Sequence, residues 1–250
     1  MGKLTFAVFS LAFLLTLLIT APATLLDAGL RYASQDHLSL ANASGTVWNG
    51  SATPALRARD GHLLALPLLH WQIAAPSLLT GKIQVRLQWD DQPPTSTTEA
   101  ILSFKQIELN HAQLQLPARM LEEVSPLLKP AQFRGQLQAR SEHLAFSAHG
   151  MEGSIVIDWH QASSAISSIA PLGDYHLTLN GAGERINIAL TTSSGILRLE
   201  GNGNWLTGRG LEFQGKAQAS EGNGDKLAEL LQHLGPEISP GVHGFNLTPN

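Results

Sequence analysis

The chain has 250 residues, 14% of them charged and 43% hydrophobic, with a net charge of −4 and no cysteine. Globular chains usually carry about a quarter charged residues, so this surface must be built largely from Gln, Asn, Ser, Thr and His. The composition excludes disorder, disulfides, thiolate chemistry and cysteine-ligated metals, and without a basic block there is nothing to track a nucleic-acid backbone.

Leu4 to Ala23, LTFAVFSLAFLLTLLITAPA, contains no charged residue. As a helix it reaches roughly 30 Å, the thickness of a bilayer's hydrocarbon. Lys3 lies before it, and Asp27 and Arg31 are the first charges after it. The expected arrangement is a cytoplasmic tip at 1–3, a transmembrane anchor at 4–23 and an exported body at 24–250. A cleaved signal peptide is the rival, because Ala21-Pro22-Ala23 has the small-x-small pattern of a cleavage site. Either reading exports the body.

Within the body, Gly45 to Gly50, GTVWNG, puts a tryptophan in a short apolar run between glycines, and similar compositions return around Trp159 and Trp205. The recurrence reads as repeated sheet architecture, with Gly45 and Gly50 at bends. Leu63, Leu64, Leu66, Leu68 and Leu69 form a run apolar at nearly every position, which predicts burial on both faces, as core or as the lining of a groove. In Lys82 to Asp90, KIQVRLQWD, Ile83, Val85, Leu87 and Trp89 alternate with polar residues, a strand with one buried face. Asp90 to Thr98, DDQPPTSTT, reads as a linker or mobile tip that divides the body into two lobes.

Alternation recurs in 107–116, 133–140, 154–159, 175–180, 185–190, 196–203 and 211–219, punctuated by Gly, Asn, Asp and Ser. Two short helices interrupt it. Pro117 to Leu128 has Met120, Leu121 and Val124 at helical spacing, and Asp225 to Gly235 has Leu227, Leu230, Leu231 and Leu234 on one face, Asp225 as cap and Gly235 as stop. The fold class is mainly β: an N-terminal transmembrane helix, then a curved antiparallel sheet or sandwich-like domain with two short helices.

The ten histidines show no metal-ligand spacing. His143 and His149 have no acid placed between them, and His70, His111, His160 and His176 read as polar-face strand residues. No nucleophile elbow and no phosphate loop is present. The pairs Asp90-Asp91 and Glu122-Glu123 are adjacent, so their side chains point apart. The sequence offers no catalytic, cofactor-binding or metal-binding residue, and an enzyme is not expected.

Taken in order, GTVWNGSA (45–52), LPLLHWQIAAPSLLTGKIQVRL (66–87), LPARML (116–121), PLGDYHLTLNG (171–181) and GNGNW (201–205) resemble the type II secretion system protein N family. The resemblance runs across nearly the whole chain. It implies an accessory inner-membrane component of the Gram-negative apparatus that exports folded proteins from the periplasm across the outer membrane. The protein would be single-pass in the inner membrane, amino terminus cytoplasmic and bulk periplasmic, with membrane lipid and other secretion components as partners. It would bind neither cofactor nor nucleic acid. A periplasmic module holding lipid or another apolar ligand in a curved-sheet groove is the alternative.

Overall fold

The structure, a computed structural model, describes residues 2–57, 61, 63–93, 96–124 and 130–248, apart from the side chains of residues 2–4, 7, 11, 15, 123 and 124. The remainder of the expected linker, helix and leucine run, at 94–95, 125–128 and His62, lies outside the described residues. The chain forms two compact units, 1–101 and 102–250.

The first unit opens with α1 (Gly2–Ile19). Among the described residues, no helix is long and apolar enough to cross a membrane. A break at 20–23 leads into α2 (Thr24–Ala33), whose Asp27 accepts a hydrogen bond from the Leu40 amide at 2.6 Å and pairs with Arg31 at 3.0 Å. That amide is the largest influence; burial opposes it, and Arg31 adds to it, so that the Asp27 carboxyl is held below the usual carboxylate range. The strands β1 (Leu38–Gly45), β2 (Asn49–Arg57), β3 (Leu63–Ala65), β4 (Leu69–Ile73) and β5 (Ile83–Trp89) pair antiparallel in the order β1-β2-β4-β5. β3 continues along β2 beyond the point where β4 leaves it.

The core of this unit is Ala23, Ala52 and Trp71, with Leu26 and Leu40 from α2 and β1, and Val85 and Leu87 from β5. Val85 and Leu87 thus follow the predicted alternation in β5, although Ile83 stays 38% exposed. The leucine run differs from its expectation. None of Leu63, Leu64, Leu66, Leu68 and Leu69 is buried; β3, which holds Leu63 and Leu64, is a short side strand paired with β2.

After β6 (Thr98–Leu102), the second unit contains β7 (Gln106–Pro117), β8 (Arg134–Ser147), β9 (Gly150–Ser163), β10 (Gly173–Gly183), β11 (Arg185–Gly195), β12 (Leu197–Leu206) and β13 (Gly210–Ala219). Each pairs antiparallel with the next, and α4 (Gly224–Leu234) then leads to β14 (Glu237–Ser239) and β15 (Val242–Leu247), with β15 on β13 and β14 outermost. Pro117 ends β7 rather than starting a helix. A 3-10 turn follows at Ala118–Met120, then the single turn α3 (Leu121–Val124).

Register separates the two faces of this sheet. Leu116, Leu137, Trp159 and Tyr175 stand in one cross-strand row. Ile157, Leu177 and Leu190 form a second, and Ile155, Leu179 and Ile188 a third. The opposite face carries Asn180, Asn187, Asn204 and Glu212 in a row, and Asn202, Gln214 and Asn246 in the next. Between Leu109 and Leu114, an odd number of residues apart, His111 takes φ 53° and β8 bulges opposite it. A bulge restores the phase, so both leucines serve the same face.

α4 covers only one end of the apolar face. Leu227, Leu230 and Leu231 pack there on Leu172, Leu197 and Ala217. The helix starts at Gly224 with Asn223 in the cap position, not Asp225, which lies in the first turn. Gly235 stops it with extended backbone; a Cβ there would meet the Gly244 carbonyl at 1.9 Å. Phe213 lies across Gly201 and Gly203, and Phe245, which also packs against the α4 cluster, lies across Gly215, the two rings stacking at 6.1 Å. From β7 to β11 the aliphatic side chains of this face are mostly half-buried. Each unit is thus an open single-layer sheet, not a two-layer sandwich.

Candidate functional site

The polar face of the second unit gathers the most side-chain chemistry. On β9, β8 and β10, cross-strand register brings Asp158 between Arg140 and His176. The Arg140 guanidinium donates to Asp158 Oδ2, and His176 Nδ1 lies 2.7 Å from Oδ1. Burial, the largest influence, pushes the Asp158 carboxyl up, yet the bonds from His176 and Arg140 and their charges together hold it below the ordinary range.

A carboxyl depressed in the folded state stabilises the fold above its unfolded pKa of about 3.9 and loses that contribution as pH falls through the folded value. The prediction is that Asp158→Asn flattens the acid limb of the second unit's stability curve below about pH 4. Denaturant midpoints measured from pH 7 to pH 3 check this; an unchanged acid limb sinks it.

Beyond this cluster the same face holds two adjoining concavities. One, about 810 Å³, is lined by Thr191, Glu200, Asn202, Gln214, Lys216 and Asn246 among others, with Ile238 of β14 at its rim. The other, about 490 Å³, is lined by Asn180, Asn187, Asn202, Asn204 and Glu212. Amide side chains of this kind donate and accept at once and carry no charge. They suit a hydrogen-bonded protein or polar-ligand contact better than proton transfer.

The histidines singled out in the sequence do not converge. His70 stands 3.6 Å from Asp90, His160 4.0 Å from Asp174 and His111 3.0 Å from Glu142, while His143 bonds Asn110 at 2.7 Å. Among the described residues no three His, Asp or Glu side chains come together as metal ligands. Asp158 went unnoticed in the sequence. Its polar position in SIVIDW places it on this face, but its partners depend on a register that only the folded sheet supplies.

The three tryptophans differ from the expectation of one repeated role. Trp159 bonds the Arg134 carbonyl at 3.0 Å and packs on Phe133 and Tyr175 at 5.2 and 5.9 Å. Trp205 is 47% exposed on β12. Trp48 lies in the turn between β1 and β2, not in a strand, and its indole donates to the Leu18 carbonyl at 2.7 Å.

A profile of the type II secretion system (T2SS), protein N family matches residues 36–246, from the start of the first sheet to the last strand. The chain belongs to the type II secretion system protein N family. A relative from Klebsiella pneumoniae, named type II secretion system protein N, is 27% identical over 238 residues, covering 92% of this chain and 88% of that one. No solved structure matches. Membership makes the chain a component of the type II secretion machinery, which implies contacts with other components, and it brings no catalytic residues with it.

Proposed function

We propose that the chain is an accessory inner-membrane component of the type II secretion system with a structural or assembly role. Residues 4–23, of which α1 forms the helical part, span the inner membrane once with residues 1–3 cytoplasmic, and residues 24–250 occupy the periplasm. The body docks other secretion components through its amide-rich face and through β14, the last strand of the sheet, by strand addition. The observation that carries this reading is the family match beginning at residue 36, a dozen residues beyond an uncharged run at 4–23.

The test is photocrosslinking in intact envelopes at native abundance, with the crosslinker at Asn204, Gln214 or Ile238. The expected product joins the chain to another component of the same apparatus. Recovery of none, from any of the three positions while the protein fractionates with the inner membrane, counts against the docking role. A soluble mature product beginning near Thr24 counts against the anchor.

A second reading, a module that holds an apolar ligand, is favoured by the half-buried aliphatic face from β7 to β11. Lipid that purifies in stoichiometric amount with the full chain and is lost in Leu179→Asp supports it. Purification without lipid rejects it.

A further inference from the structure

The end of the first sheet nearest α1 is built differently from the rest of the protein's surface. The chain leaves α1 and is held at once by the β1–β2 turn. The Val47 amide donates to the Ala21 carbonyl at 2.9 Å, the Ala23 amide to the Gly45 carbonyl at 3.1 Å, and Pro22 bridges Thr46. Trp48 adds its bond to Leu18, one residue before α1 ends. The turn is fixed in its own right by the Ile73 amide on the Trp48 carbonyl at 2.7 Å and the Trp71 indole on the Val47 carbonyl at 3.0 Å. No flexible joint separates α1 from the sheet.

The β4–β5 connection emerges at this same end, since Gln72 pairs with both Asn49 and Arg86. It is a 3-10 turn, Ala75–Thr80, and it displays Leu79 at 92% and Leu78 at 42% exposure. Leu25, at the start of α2, is 56% exposed. Residues 45–52 and 73–85 contain no carboxylate, and their single charge is Lys82. Exposed leucines, a tryptophan beside the end of an apolar helix and a lone base are the composition of a lipid–water interface, where indoles and aliphatic side chains enter the headgroup layer and ammonium groups meet phosphates.

We propose that this end of the first unit is a lipid-interface seat. Leu78, Leu79 and Trp48 enter the headgroup layer of the periplasmic leaflet, Lys82 lies at phosphate level, and the unit is held upright on the membrane instead of swinging from a tether. The occupant is the bilayer surface, because α1, about 27 Å long, delivers the seat to it. The proposal rests on the reading of α1 as a membrane span.

The test uses the full chain in vesicles of phosphatidylethanolamine and phosphatidylglycerol. The protein has no cysteine, so a nitroxide can be placed on Leu79→Cys, on Arg57→Cys about 26 Å further along β2, and on Phe9→Cys in α1. Accessibility to oxygen and to a water-soluble nickel chelate reports depth. The expected result is a label at position 79 several-fold less accessible to nickel than one at position 57, and more accessible to oxygen. A label at 9 that is buried in lipid while position 79 matches position 57 overturns the seat and leaves the span standing. If position 9 is itself open to nickel, the span and the seat fall together. A label at 79 that is immobile and shielded from both reagents identifies contact with a second copy of the chain, and it also overturns the proposal.

Discussion

Replacing Trp71 with alanine is expected to lower the stability of the first unit by about 3–5 kcal/mol, the range for removing a buried tryptophan. Trp71 is 5% exposed at the centre of that unit's core. Its ring lies so close over Gly50 that a Cβ there would meet it at 2.6 Å, and its indole nitrogen holds the Val47 carbonyl. Truncation therefore removes packing and releases the turn that grips α1. A core of three buried residues has little with which to refill the space. Hydrogen exchange resolved by fragment on the detergent-solubilised full chain is the measurement. Protection should collapse in β1, β2 and β4 while β9 to β13 keep theirs. Equal loss in both units would mean that they unfold as one cooperative body, and unchanged protection would mean that Trp71 is not the keystone of the first.

Leu227→Ala is the second large effect, about 2–5 kcal/mol from the second unit. Leu227 is fully buried, and around it α4 meets Leu172, Leu197 and Ala217. The sheet beneath is a single layer, so α4 is what gives β12, β13 and β15 a dry face. Its loss should expose those strands first and the β7–β8 end last. The same exchange measurement reads this as a gradient along the sheet. Uniform loss from β7 to β15 would show that α4 anchors the entire unit.

Part of this architecture was legible in the sequence because part of it follows from local periodicity. Val85 and Leu87 alternate as predicted, and Leu227, Leu230 and Leu231 fall on one face of a helix with Gly235 at its stop. The antiparallel sheet follows from strands joined by short glycine- and asparagine-rich turns without crossover helices. What was not legible depends on neighbours distant in the chain. The leucine run at 63–69 has the composition of a buried strand, but composition does not reveal that its first part is a short strand at the side of the sheet. His111 looks like any polar strand residue, yet its left-handed backbone resets the phase of β7. The Asp158 cluster and the grip of Trp48 on Leu18 each join residues far apart in sequence. The GTVWNG motif has the look of repeated sheet with bends at its glycines; it is a turn that captures the end of a helix.

From β7 to β13 every strand is hydrogen-bonded to the one synthesised immediately before it. Contacts in such a meander are short in sequence, so closing each hairpin costs little chain entropy, and growth can proceed by adding one strand to an existing template. A chain that emerges amino end first can therefore fold in the order in which it emerges. Only the last step departs from that order: β15 must take its place on β13 before the outer strand β14 has a partner, and α4 must dock on residues from Leu172 to Phe245. The growing edge of the sheet thus stays open until the final thirty or so residues arrive, and it is there that an incomplete chain offers an unpaired strand edge for longest.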